Sequence, residues 1–316
     1  EVDALFDGED ILIPGIMEHL EQAGVHSGDS ISIYPAQKSL VKIKEEMAFI
    51  TKSLAKELGI LGLMNLQFIL KGEELYLIEV NPRSSRTVPY LSKVTGIPVI
   101  ELATRILLGE KLKDMDYGVG LYREPNFVSV KVPVFSTEKL PQVEASLGPE
   151  MRSTGEVLGI GKTFEEALFK GFLAAGMDLQ RKKRKVLMTI KDQDKEVFLP
   201  LAKKMQGLGY TFYATDKTAQ FLLGAGIEAT GVYKLGEGNP SIVEIISGKN
   251  IDLVFNTPTK GNDAKRDGFV IRRAAVEHSV ELVTSLPKAE VLVEIFHGQL
   301  KEEETDIYPL GSYGAL

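Results

Sequence analysis

Residues 67–86 read Gln67-Phe68-Ile69-Leu70-Lys71-Gly72-Glu73-Glu74-Leu75-Tyr76-Leu77-Ile78-Glu79-Val80-Asn81-Pro82-Arg83-Ser84-Ser85-Arg86. Two β-type runs flank a short polar turn, which predicts a hairpin. The second run delivers a carboxylate (Glu79), a carboxamide (Asn81) and two guanidiniums (Arg83 and Arg86) in quick succession. Oxygen donors of this kind suit a hard cation such as Mg²⁺, which keeps several waters and bridges carboxylates to nucleotide phosphates. Arginines just beyond them can hold anionic substrate oxygens in bidentate fashion. Register decides whether these groups cooperate, because a slip of one residue sends a side chain to the opposite face. If Gln67 lies opposite Glu79, Lys71 pairs with Leu75 and the loop is Gly72-Glu73-Glu74, a common hairpin length. A two-residue loop would put Gln67 and Glu79 on opposite faces. The expectation is therefore the three-residue loop, with Gln67, Glu79 and Asn81 sharing one face as a metal–nucleotide site.

Composition bounds the rest. A chain of 316 residues should hold about two domains. It has no cysteine, which excludes disulfides, thiolate zinc sites and cysteine nucleophiles, and which fits a cytoplasmic protein. With only four histidines, a transition-metal site has little support. A net charge of -7 argues against broad nucleic-acid binding. No apolar run is long enough to span a membrane, and the acidic first residues do not resemble a signal peptide. The opening Glu1-Val2-Asp3-Ala4-Leu5, without an initiator methionine, reads as cut from something longer.

Upstream of the hairpin, residues 1–37 look irregular, with a short helix near 16–22 and a small-residue loop over 24–30. An amphipathic helix follows, with Ile43, Met47, Ile50, Leu54 and Leu58 at three- and four-residue spacing and Gly59 ending it. Downstream, Pro98 begins a helix that closes near Gly109. Residues 127–135 are β-rich and 148–156 loop-like. Thr163-Phe164-Glu165-Glu166 forms a capping box for a helix through Ala174, which Gly176 stops. The run Arg181-Lys182-Lys183-Arg184-Lys185 reads as a solvated linker rather than a nucleic-acid patch, and the domain boundary is placed there.

Beyond it strands and helices alternate: strands at 186–190, 210–215, 228–233, 251–256 and 282–285, with helices between them. Such alternation predicts an α/β sandwich with a mostly parallel sheet, whose ligands bind beyond the carboxyl ends of the strands. Those ends carry Thr215-Asp216-Lys217-Thr218, Lys234 and Asn256-Thr257, which with helix N-termini behind them could cradle a phosphate. On spacing alone it is equally reasonable that Thr215 and Asp216 merely cap the next helix.

Longer motifs carry a resemblance. The runs Ile13-Pro14-Gly15-Ile16-Met17-Glu18-His19 and Ala23-Gly24-Val25-His26-Ser27-Gly28-Asp29-Ser30 resemble the second ATP-grasp unit of the carbamoyl-phosphate synthase large subunit. The likeness continues through Gly62-Leu63-Met64-Asn65-Leu66-Gln67-Phe68, Leu77-Ile78-Glu79-Val80-Asn81-Pro82-Arg83, Arg86-Thr87-Val88-Pro89 and the run from Leu147 to Val157. Residues 186–296 resemble that subunit's methylglyoxal-synthase-like allosteric domain. The implied fold is an α+β, antiparallel-sheet part of an ATP-grasp unit (1–180), a basic linker (181–185) and an α/β methylglyoxal-synthase-like domain (186–316).

The resemblance also implies roles. Gln67, Glu79 and Asn81 would ligate Mg²⁺ or Mn²⁺, with Gln67 and Glu79 close to the ATP phosphates. Gly24, Val25, His26 and Ser27 would line the nucleotide pocket. Arg83 and Arg86 would sit over carbamate and the transferring phosphoryl group. Phosphoryl transfer needs positioning and charge neutralisation more than covalent chemistry, which these groups supply. In the intact family enzyme a glutaminase small subunit supplies ammonia, bicarbonate is converted to carbamate at a first site, and a second ATP makes carbamoyl phosphate for pyrimidine and arginine biosynthesis. The family's glycine-rich lid lies upstream of these motifs, so the chain alone is expected to transfer no phosphate at a useful rate.

Lys195, Thr215, Thr218, Lys234, Asn256 and Thr257 match effector-binding positions for a nucleotide of the UMP or IMP type. Position 258, threonine in some members, is Pro258, which lacks a hydroxyl and a backbone N–H. Lys260, Lys265, Arg266, Arg272 and Arg273 are further phosphate candidates, expected mostly to face solvent. An oligomer is also implied. The competing readings are a non-catalytic nucleotide-sensing module with a degenerate ATP-grasp remnant, and another ATP-grasp ligase such as a biotin-carboxylase relative.

Overall fold

The protein is described from a computed structural model covering residues 1–38, 41–136, 146–179, 184–234, 236–248, 250–257, 267–298, 300 and 305–315. The chain divides into two compact units, Glu1–Pro133 with Glu156–Ala175 and Thr305–Leu316, and Val134–Gly155 with Gly176–Glu304. Most of the basic run, Arg181 to Lys183, lies outside the described residues, as do Pro258, Lys260, Lys265 and Arg266.

The first unit is built on β1 (Val2–Phe6), β2 (Ile11–Ile16), β3 (Glu18–His19), β4 (Ser32–Tyr34), α1 (Val41–Glu57), β5 (Gly62–Lys71) and β6 (Glu74–Asn81). Next come α2 (Val88–Thr95), α3 (Val99–Leu107), β7 (Gly120–Leu121), β8 (Val128–Val134), β9 (Gly155–Gly161) and α4 (Phe164–Ala174). One sheet runs β6-β5-β1-β2-β7, antiparallel except at β2–β7; the other runs β3-β4-β8-β9.

The expectation for residues 1–37 is corrected: the stretch supplies four strands, and 16–22 is not a helix. Burial on both faces explains the misreading. Every residue of β1 and of β2 is buried, so neither shows the period-two alternation of a half-exposed strand. On β1, Val2, Ala4 and Phe6 face a core shared with Ile43 and Met47 of α1, while Leu5 faces a second core beneath α2 and α3. Helix α1 keeps the anticipated position, but its buried line is Ile43, Met47, Thr51 and Ala55, and Leu58 beyond its end is 59% exposed.

Helix α4 shows how closely helix and sheet approach. A Cβ on Gly159 would stand 2.0 Å from the carbonyl oxygen of Ala167 and 2.5 Å from the nitrogen of Gly171. Glycine at 159 is what lets α4 lie against β9, while a Cβ on Gly171 would stand 2.7 Å from the Val132 side chain of β8. The capping box is half-formed: the Thr163 hydroxyl accepts from the Glu166 N–H, but Glu166 reaches back to the N–H of Lys162.

The second unit contains β10 (Lys185–Thr189), α5 (Lys195–Gly207), β11 (Thr211–Thr215), α6 (Asp216–Gly224), β12 (Ala229–Val232) and α7 (Ile242–Ser247). It continues through β13 (Leu253–Asn256), α8 (Asp267–Glu277), β14 (Glu281–Val283) and α9 (Leu286–Gly298). Its sheet, β12-β11-β10-β13-β14, is parallel at every pairing. The chain steps outward from β10 to β12, then crosses to β13 on the other side. The reversal lies between β10 and β13, which is where such sheets open a crevice for ligands.

Candidate functional site: a metal-binding sheet face and a strand-end cradle

The hairpin joins two features the regular ladder would keep apart. Its loop has two residues, Gly72 and Glu73, because Lys71 pairs with Glu74 and Leu70 with Leu75. Yet Gln67 still pairs with Glu79 and Asn65 with Asn81. The three-residue loop is therefore wrong and the shared face is right. A bulge reconciles them: the register shifts between Gln67 and Phe68, whose partners are Glu79 and Leu77, leaving Ile78 as the extra residue.

Along one face, β5 thus presents Leu63, Asn65, Gln67 and Ile69 in sequence. Leu63 packs on the core beneath α2 and α3, Asn65 is buried, Gln67 is half-buried and Ile69 is exposed. Glu79 is exposed beside Gln67, and Asn81 is half-buried. The Asn81 amide nitrogen donates to Glu79 Oε1 at 3.0 Å and to Asn65 Oδ1 at 3.5 Å. Both its N–H groups face acceptors, so its Oδ1 is left as an oxygen donor to a cation. Among the described residues no group of three or more His, Asp and Glu side chains is gathered as a metal site. One carboxylate and two carboxamides fit a hard, hydrated ion completed by phosphate oxygens, and would hold a bare ion poorly.

After β6 the chain turns at once, with the Arg83 N–H donating to the Asn81 carbonyl at 2.8 Å. Arg83 and Arg86 are both exposed. The Arg83 Nη1 rests on the Ser84 carbonyl at 2.9 Å. Between Arg86 and α2, Thr87 is fully buried.

The loop of Gly24, Val25, His26 and Ser27 is held by its own network. His26 Nδ1 accepts from the Gly28 N–H at 3.0 Å, which places the ring proton of the neutral form on Nε2. The buried Lys131 ammonium donates to the carbonyls of Ser27 and Gly28 at 3.0 and 3.2 Å, and burial pulls its pKa down. His26 therefore holds a turn, and its remaining N–H can still donate. Gly24, with φ +98°, needs the left-handed region open to glycine.

In the second unit, Thr189, Thr215 and Asn256 all end strands at one edge of the sheet, in registers that pair Thr189 with Asn256 and Thr215 with Val232. Thr215 occupies the N-cap of α6 but makes no side-chain capping bond, so its hydroxyl is not spent on the helix. Thr218 is buried, with its hydroxyl 3.5 Å from the Ile190 carbonyl. Lys195 is also buried; its Nζ lies 2.6 Å from Asp192, donates to the Lys217 carbonyl and stands 5.9 Å over the Phe221 ring. Thr257 accepts from the Lys191 N–H, and Lys234 lies exposed just past β12.

The sequence reading missed Thr189 and misplaced Arg272. Arg272 is buried rather than solvent-facing: its Nη1 donates to Asn256 Oδ1 at 2.7 Å, and Asn256 Nδ2 donates to Thr189 Oγ1 at 2.6 Å. Arg273 pairs instead with Glu277 on its own helix. Asp3 and Asn65 were missed as well. The available signal was a polar residue flanked on both sides by apolar ones, Asp3 in β1 and Asn65 in β5.

Similarity to known proteins agrees with this division. Residues 1–115 match the family model described as carbamoyl-phosphate synthase L chain, ATP binding domain, and residues 197–284 match the MGS-like domain. The chain is 58% identical over 312 residues to the carbamoyl phosphate synthase large chain of Clostridium botulinum (strain Kyoto / Type A2), covering 99% of this chain and 29% of that one. The large chain of Clostridium perfringens (strain 13 / Type A) is 58% identical over 310 residues, covering 98% and 29%. The biotin carboxylase domain of a single-chain bacterial carboxylase is a weaker structural likeness, at 16% identity and TM-score 0.45 over 57% of this chain and 46% of that one. No helix among the described residues is long and apolar enough to cross a membrane. An ATP-binding region followed by an MGS-like domain, at this identity along almost the whole chain, places the protein in the carbamoyl phosphate synthase large chain family.

Proposed function

We propose that this chain supplies the metal and phosphate floor of a carbamate-phosphorylating centre, followed by a nucleotide effector site. The observation that carries the reading is the bulged hairpin, which sets Gln67, Glu79 and Asn81 on one face directly before Arg83 and Arg86. Bound Mg²⁺ or Mn²⁺ would neutralise charge on the ATP phosphates. Gln67, Glu79 and Asn81 would hold it, and the two arginines would carry the charge of carbamate and of the transferring phosphoryl group. Gly24, Val25, His26 and Ser27 would meet the nucleotide.

The chain spans 29% of the length of the curated relatives it matches. In a protein of that length we expect bicarbonate as a substrate and a glutamine-hydrolysing small subunit as a partner, and we expect the 316-residue chain alone to make no carbamoyl phosphate. We retain 1–180 and 186–316 as the functional division but correct the linker expected over 181–185, since Arg184 is buried against Phe296 and Lys185 opens β10. Lys195, Thr215, Thr218, Lys234, Asn256 and Thr257 would bind a UMP- or IMP-type effector at the switch between β10 and β13.

Water-proton relaxation of Mn²⁺ with ATP tests the first site. Binding by the wild type that disappears in Glu79→Gln is expected; equal behaviour of the two would remove the assignment. Calorimetric titration with UMP, IMP and phosphoribosyl pyrophosphate tests the second, and no heat with any of them would remove it.

A further inference from the structure

Asp3 is a buried carboxylate that the chemistry above does not use. It is 1% exposed, at one end of a row that crosses three strands. On β1 it pairs with Asn65 of β5, which in turn pairs with Asn81 of β6. Directly paired residues project to the same face, so Asp3, Asn65 and Asn81 form a row across the sheet.

The polarity of that row runs one way. Carboxylates at neutral pH only accept hydrogen bonds. Asn65 Nδ2 donates to Asp3 Oδ1 at 2.9 Å and to Glu1 Oε1 at 2.8 Å, which commits both its N–H groups. Its Oδ1 must therefore face Asn81, and Asn81 must answer with Nδ2. That leaves Asn81 Oδ1, rather than its NH₂, on the candidate metal face.

The other oxygen of Asp3 acts on the arginine loop. Thr87 Oγ1 donates to Asp3 Oδ2 at 2.7 Å. With its proton so used, Thr87 accepts from the Ser85 hydroxyl at 2.8 Å, and the Thr87 N–H closes back on Ser85 Oγ at 3.2 Å. Arg86 is the residue between them.

We propose that Asp3 is a positioning residue, one carboxylate that orients Asn81 through Asn65 and pins the Arg86 turn through Thr87. It thereby ties the metal face to the substrate arginine. The metal half of this statement rests on the reading of Gln67, Glu79 and Asn81 given above; the anchoring itself does not.

The test follows the 316-residue chain by NMR, reading the side-chain amides of Asn65 and Asn81 and the backbone amide of Arg86, together with Mn²⁺–ATP affinity. Asp3→Asn replaces one acceptor by a donor. In a folded Asp3→Asn chain both the Asn81 and the Arg86 signals should shift, and Mn²⁺–ATP affinity should fall about tenfold, the usual loss when a ligand's supporting hydrogen bond is removed. Thr87→Val should move the Arg86 signal alone, and Thr87→Ser should restore it. A folded Asp3→Asn with all three signals in place overturns the proposal. Should that variant not fold, Thr87→Val with Arg86 unmoved overturns it equally. If wild type and Glu79→Gln take up Mn²⁺–ATP equally, the metal reading fails, and the amide signals still decide the anchor.

Discussion

Arg272 offers the sharpest energetic test of the strand-end cradle. Its guanidinium and the Asn256 carboxamide are both buried and meet at 2.7 Å, while Asn256 Nδ2 is committed to Thr189. A hydrogen bond to a charged group contributes roughly 1.5–3 kcal/mol, and stranding a buried partner adds its desolvation cost. Arg272→Met keeps much of the apolar stem and removes the head, leaving the Asn256 oxygen without its donor. Asn256→Ala removes the acceptor of Arg272 Nη1 and the donor to Thr189 Oγ1. Each single change should cost about 2–3 kcal/mol. The double variant should cost less than their sum by about 1.5 kcal/mol, because both singles break the same Arg272–Asn256 bond. Urea unfolding of the four chains, compared at constant m, measures that coupling. A coupling below about 0.5 kcal/mol, the ordinary error of additivity, would refute the claim that Arg272 holds Asn256 in place.

Two further outcomes follow from the first unit. Burial, with the Glu1 carboxylate close by, raises the Asp3 pKa from 3.8 to about 6, against the hydrogen bonds from Thr87 and Asn65. The folded chain then holds a proton that the unfolded chain has already lost, so this contribution is full below pH 3.8 and fades as pH rises to about 6. It amounts to about 3 kcal/mol at ~1.4 kcal/mol per pH unit. Denaturant titrations at intervals from pH 4.5 to 7 should show about 2 kcal/mol of that decline, the part lying above pH 4.5 at ~1.4 kcal/mol per pH unit, and Asp3→Asn should flatten it. Gly159→Ala should destabilise by about 2 kcal/mol in thermal melts, since its Cβ would meet backbone atoms of α4 that cannot rotate away. A neutral Gly159→Ala would mean that α4 can retreat from β9.

Much of this molecule is local in origin. The second unit was legible because strands and helices alternate; α6, for example, lies between the strands expected at 210–215 and 228–233. Capping at Thr163 and the glycine stop at Gly176 are also short-range effects. Gln67, Glu79 and Asn81 could be named because the hairpin motif places oxygen donors at fixed spacing. Non-local packing was not legible. β1 and β2 hide their strand character because both faces are covered, and α2 was not anticipated between Thr87 and Gly96. Arg272 looks like a surface cation until α8 turns it toward Asn256.

The hairpin shows where the boundary lies. The sequence alone determined that Gln67 and Glu79 should face the same way, because the chemistry of the residues required a common face. It could not determine how. Counting residues through a regular ladder gave a three-residue loop, whereas the tertiary structure has a two-residue loop and an extra residue at Ile78. The bulge sits in the pairing of β5 with β6, and β5 is held on its other edge by β1, more than fifty residues earlier in the chain. The same long-range pairing sets Asp3 beside Asn65, so the order of donors and acceptors across the sheet exists only once three strands have met.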